Sequence, residues 1–132
     1  MDADRNGKRN HMKREMELIR QILLVVEATD DQLGVPEVAI VGRTGAEIGY
    51  HLELLDDANL VFWDGQLFVD DDHARASMLR LTWDGHEFLD NARNEGAWKQ
   101  VRDTLSDNAV KSASFGIISR LLSETIARNI GL

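Results

Sequence analysis

Apolar positions recur at helical spacing from Met16 onward: Met16, Ile19, Leu23 and Val26 fall every three to four residues, and Leu18, Ile22 and Val25 widen the stripe. This predicts a first helix over residues 13–28, broken at residues 30–34. Pro36 then opens a short extended piece carrying Val38, Ile40 and Val41. Thr44-Gly45-Ala46-Glu47 has the T-x-x-E form of a capping box, in which hydroxyl and carboxylate reciprocally satisfy backbone N–H groups. It predicts a second helix over residues 44–58 with Ile48, Leu52, Leu55 and Ala58 turned inward, ended by Asn59 in a left-handed conformation with Leu60 folded back.

Beyond it, residues 60–63 and 66–69 read as two short strands about an Asp64-Gly65 turn, and the charged residues 70–75 as a loop. Leu79, Leu81 and Trp83 alternate with Met78, Arg80 and Thr82, which predicts a half-buried strand over 78–83 pairing with 66–69. Thr82 is also placed to cap a helix carrying Phe88, Leu89 and Ala92, which is expected to stop near Gly96. Trp98, Val101 and Leu105 mark another helix. Ser112 or Ser114 caps a last one over residues 115–130, with Phe115, Ile118, Leu122 and Ile126 on one face. The class is α+β, mostly helical, with Trp63, Trp83 and Trp98 expected as core anchors.

Composition narrows this picture. A length of 132 residues suits one domain, over residues 12–132, with residues 97–132 as a C-terminal helical extension. Residues 1–11 are polar throughout and are expected to be a disordered leader or a vector remnant, Met12 being an alternative start. The longest apolar run, residues 22–26, is far below the roughly 20 residues of a bilayer span, and cysteine is absent, so a cytoplasmic protein is expected. Of the formal charge of −8, the stretch 21–96 carries four basic and sixteen acidic residues, a sign that repels polyphosphates.

Helix, then a helix ending Tyr50-His51-Leu52-Glu53-Leu54-Leu55-Asp56-Asp57-Ala58-Asn59-Leu60, then a hairpin resembles the layout of winged-helix proteins, although most carry glycine where Asn59 stands. Met12-Lys13-Arg14-Glu15-Met16-Glu17-Leu18-Ile19-Arg20, Leu81-Thr82-Trp83-Asp84-Gly85-His86-Glu87-Phe88-Leu89-Asp90 and Trp98 sharpen the likeness. Together they resemble the bacterial and phage-associated family catalogued as domain of unknown function 2513, over residues 12–132. The resemblance implies a winged-helix-like fold and a bacterial or prophage setting, and no assigned activity. Residues 30–43 are short and extended for the usual middle helix, so the implied fold is a degenerate helix-turn-helix.

Three classes of function meet these residues. In a regulator, helix 44–58 would enter the major groove with the hairpin as a wing. Its outward residues read as Gly45, Ala46, Gly49, Tyr50, Glu53, Asp56 and Asp57, with Arg43 the one base nearby, and only the leader (Arg5, Lys8, Arg9) with Lys13 and Arg14 offers phosphate clamps. An interaction protein would present the same surface, Arg43, Gly49, Tyr50, Glu53 and Asp57, to an unidentified partner, or pair its last helix with a copy through Ile117, Leu121 and Ile130. As an enzyme the chain offers little. Asp70-Asp71-Asp72-His73 reads as a solvated acidic tip before a cation site, His86-Glu87 lacks the second histidine of H-E-x-x-H, and Gly42, Gly45 and Gly49 lack a G-K-[ST] ending. His51 and His86 are expected to pack or cap. The expectation is a non-enzymatic binding protein without cofactor or metal, contacting a protein partner or its own copy, with DNA as the alternative and no membrane.

Overall fold

The computed structural model describes residues 12–29, 36–107 and 114–131. Residues 1–11, the break at 30–34 and Ser112 lie outside them. Among the described residues are five helices, α1 (Met16–Ala28), α2 (Gly45–Asp57), α3 (Trp83–Ala92), α4 (Glu95–Asp107) and α5 (Phe115–Asn129), and three strands, β1 (Glu37–Ala39), β2 (Val61–Val69) and β3 (His73–Leu81). The strands form one antiparallel sheet in the order β1-β3-β2.

Local signals set the helix boundaries. Thr44 takes an extended conformation and its hydroxyl accepts from Glu47 N–H at 3.1 Å, while the Glu47 carboxylate accepts from Thr44 N–H at 2.9 Å. Asn59 sits at φ +63°, and the N–H groups of Asn59 and Leu60 reach back to the carbonyls of Asp56 and Leu55, which closes α2 with two orphan carbonyls satisfied. Thr82 and Ser114 cap α3 and α5 by accepting from Gly85 and Ile117 N–H. The break between α3 and α4 falls at Arg93 and Asn94 rather than near Gly96, because the Asn94 side chain caps α4 through Ala97 N–H at 2.9 Å.

The hairpin departs from the expected arrangement. Asp64-Gly65 is no turn: β2 runs unbroken through it, the turn lies at Asp70–Asp72, and β3 begins at His73. The Asp64↔Ser77 and Leu67↔Ala76 pairings leave Gly65 and Gln66 extra on β2, with Gly65 at φ +78°. The Phe62↔Arg80 and Asp64↔Ser77 pairings leave one extra residue on β3. An Asp-Gly pair satisfies either a tight turn or a bulge, since both want a positive φ at glycine. Packing decides between them. The small inward side chains of Ala74 and Ala76 bring the long hairpin against α2, where Gly45 N–H donates to Asp71 C=O at 2.8 Å.

The compensating bulge on β3 holds Met78 at φ +55° with its side chain 61% exposed. A left-handed conformation costs a β-carbon roughly 1–2 kcal/mol, and this side chain recovers little of it by burial. Met78→Gly is therefore expected to stabilise the protein by about 0.5–1 kcal/mol, read as a higher urea midpoint at unchanged slope.

One core joins the helices to the inner sheet face: Leu18, Ile19, Ile22 and Leu23 of α1, Val38 of β1, Ile48, Leu52 and Leu55 of α2, and Leu89, Ile118 and Leu122 of the later helices are fully buried. Trp98 is 4% exposed, with its indole N–H donating to Glu17 at 2.7 Å and Arg20 over its ring. Trp63 packs half-buried against the core. Trp83 is not a core anchor: β3 ends at Leu81, Thr82 turns the chain into a cap, and the alternation that would have buried residue 83 stops there, leaving the indole 78% exposed. No helix among the described residues is long and apolar enough to cross a membrane.

Candidate functional site

The outward face of α2 is narrower than its helical spacing predicts. Gly45 and Gly49 are buried under the hairpin: a β-carbon at Gly45 would overlap the Asp70 carbonyl oxygen, and one at Gly49 would lie 2.7 Å from Val69 Cγ2. Neither contributes surface, so Gly49 leaves the expected interaction set. Glu53, Asp56 and Asp57 are exposed and Tyr50 is half-buried, its ring edge-on to His51.

Arg43, the base expected beside this face, is held inward. Its guanidinium donates to both Glu15 carboxylate oxygens, at 2.7 and 2.9 Å, and to Glu47 at 3.4 Å. The two-pronged bond to Arg43 holds the Glu15 carboxyl below its usual range and raises Arg43 in turn. Glu15 is also the N-cap residue of α1, and its backbone N–H donates to His51 Nε2 at 3.0 Å, while His51 Nδ1 donates to the Glu47 carbonyl at 2.8 Å. These two partners fix His51 as the neutral tautomer protonated at Nδ1. The ring is fully buried, and burial pushes its pKa below the ordinary value. One polar network thus ties the starts of α1 and α2 together and occupies the Arg43 guanidinium.

At the hairpin turn, His73 faces Asp72 at 3.0 Å, Asp70 at 3.2 Å and Glu37 of β1 at 3.9 Å. The hydrogen bond to Asp72 leads in raising the His73 pKa and in lowering that of Asp72. The acidic tip is therefore a clamp between turn and sheet rather than a free loop. Among the described residues no group of three or more His, Asp or Glu side chains is placed to hold a metal ion.

Two surfaces were invisible to sequence pattern. Where α1, β3 and α3 meet lies an open groove of about 470 Å³ with Val26, Leu79 and Leu81 on its floor and Glu27, Arg80, Trp83 and His86 at its rim. Glu27 is neutralised there by a two-pronged bond to Arg93 at 2.8 and 3.0 Å, which lowers the carboxyl pKa. His86, expected to pack or cap, is exposed instead. The second surface is the solvent face of the hairpin. Cross-strand partners Phe62 and Arg80, and Phe68 and Arg75, form cation–π pairs with guanidinium-to-ring distances of 4.9 and 5.5 Å. Recognising either surface required the register and the strand ends, which the misplaced turn concealed.

The expected dimer helix does not present one face. Ile117 is 41% exposed, Leu121 is half-buried against the core, and Ile130 lies past the end of α5, about 140° around the helix from Ile117 at 100° per residue.

Fold and surfaces together define a mostly helical α+β domain whose accessible features are an open groove, an acidic helix face and an aromatic–arginine sheet face. The chain belongs to the family described as "Hypothetical protein (DUF2513)", whose pattern matches residues 13–111 and so stops short of α5. It is also 33% identical over 121 residues to an uncharacterized protein of Haemophilus influenzae (strain ATCC 51907 / DSM 11121 / KW20 / Rd), covering 85% of this chain and all of that protein. No solved structure matches the chain.

Proposed function

We propose that this domain is a non-enzymatic binding module that docks another protein through the groove beneath Trp83. The carrying observation is the 78% exposure of that indole beside an apolar floor and an arginine. Leaving a tryptophan in water forgoes on the order of 2 kcal/mol of burial. Tryptophan and arginine around a small apolar depression are also the side chains on which protein–protein binding energy concentrates.

The alternative, a regulator of phage or mobile-element origin, draws its support from layout. A capped helix followed by a hairpin, within a sheet ordered β1-β3-β2, is consistent with a winged helix, although only five residues separate β1 from α2 and leave no room for the usual middle helix. Charge weighs against it. A groove-entering helix needs flanking phosphate clamps, whereas α2 offers Glu53, Asp56 and Asp57 and its neighbouring Arg43 is spent on Glu15.

Trp83→Ala separates the readings. The variant is expected to keep the wild-type melting temperature, since the side chain is mostly outside the core, and to lose a protein that co-purifies with the wild type from native cells. Wild-type protein is expected to bind random duplex DNA no more tightly than about 10 micromolar at low salt. Tighter, steeply salt-dependent DNA binding that Trp83→Ala leaves intact would reverse the assignment.

A further inference from the structure

We infer that the solvent face of the β2–β3 hairpin is the contact between two copies of this chain. Two copies carrying −8 each repel over most of their surface, and close approach requires a face that is locally neutral and complementary to itself. This face meets that condition. Its outward positions set Arg75 and Arg80 against Glu37 and Asp64, with Phe62 and Phe68 exposed among them. Neither guanidinium has a carboxylate within ion-pair distance among the described residues; each lies instead over a phenylalanine ring, and Arg80 also donates to the Leu81 carbonyl at 3.1 Å.

A two-fold axis through such a face turns every group into its own partner's complement. The arginines of one copy meet Glu37 and Asp64 of the other, while Phe62 near one end of β2 meets Phe68 near the other end of its copy. A foreign acidic peptide would match only the arginines and be repelled by Glu37 and Asp64. A polyphosphate would meet the same two carboxylates. Two nine-residue strands span roughly 30 Å by 10 Å, so with side-chain relief and the flank of β1 each copy buries on the order of 500 Å², about 1,000 Å² in all, at the lower edge of specific interfaces. The contact is therefore reversible, with a dissociation constant on the order of 10–100 micromolar.

This rests on the binding-module reading but uses a face that meets the Trp83 groove only at Arg80. Sedimentation equilibrium of the full chain from 1 to 500 micromolar tests it. The expected result is a reversible monomer–dimer equilibrium that Phe62→Ala/Phe68→Ala weakens at least tenfold at unchanged melting temperature, and that Arg75→Glu, outside the groove, also weakens. Ile117→Ser is expected to leave it unaltered. A strict monomer through 500 micromolar, or a dimer lost with Ile117→Ser and kept in the phenylalanine variant, overturns the inference. In either case a co-purifying protein lost only with Trp83→Ala leaves the groove reading standing, and its absence in a dimeric wild type removes the groove alone.

Discussion

Gly45→Ala is expected to destabilise the protein by about 3–4 kcal/mol and to lower its melting temperature by on the order of 10 °C. The β-carbon would overlap the Asp70 carbonyl oxygen and crowd that of His73 at 2.5 Å, both backbone atoms that no rotamer change moves aside. Relief requires the hairpin turn to lift from α2, which breaks the 2.8 Å bond from Gly45 N–H to Asp71 C=O and loosens Ala74 and Ala76 from the core. Against a total stability of about 5–15 kcal/mol, that loss is a large fraction. Amide exchange gives a specific signature: protection of Gly45 and of Asp70, whose N–H donates to the His73 carbonyl, should fall further than that of Leu52. Uniform loss of protection, or a change under 1 kcal/mol, would mean that the turn is not seated on the helix.

His51→Leu is expected to cost about 2–3 kcal/mol at pH 7, because an apolar side chain of similar volume leaves Glu15 N–H without an acceptor at the junction of α1 and α2. It should also alter the pH profile. In the native protein burial holds the His51 pKa below 6.5, so the unfolded chain takes up this proton first. The stabilising contribution is fully present above 6.5 and declines as pH falls from there to the lowered value. His73 works in the opposite sense. Its raised pKa contributes stability that is complete below 6.5 and lost as pH rises through the folded value, weakly because the site is open to solvent. Urea unfolding from pH 5 to 8 should therefore show a wild-type decline below pH 6.5 that the leucine variant lacks. A wild-type profile that is flat or rises below 6.5 would contradict the buried neutral tautomer.

Legibility followed the range of the interaction. The capping box at Thr44, the left-handed Asn59 and the caps at Thr82 and Ser114 were readable because each is satisfied within a few residues. Burial of His51 was readable from its place beside an apolar stripe, whereas its partner Glu15 lies 36 residues away and carries no local mark. Asp64-Gly65 reads as a turn because turn and bulge make the same demand on glycine, and the choice depends on Leu67 and Val69 meeting Gly49, and the Asp70 and His73 carbonyls meeting Gly45, across the fold. A turn there pairs the strands in another register, in which the Phe62–Arg80 and Phe68–Arg75 pairs do not exist; Trp83 falls among core residues separately, by carrying the alternation of Leu79 and Leu81 one step past the strand end. The acidity of α2 was legible residue by residue, but the neutralisation of Arg43 was not, since it needs α1 to bring Glu15 within 2.7 Å.

The most direct test of the binding-module account is photo-crosslinking in native cells from a benzophenone amino acid placed at position 83, with position 53 on the acidic face of α2 as the comparison. The account predicts a discrete protein adduct from position 83 and no DNA adduct from position 53. DNA captured at position 53, with nothing captured at 83, would contradict it.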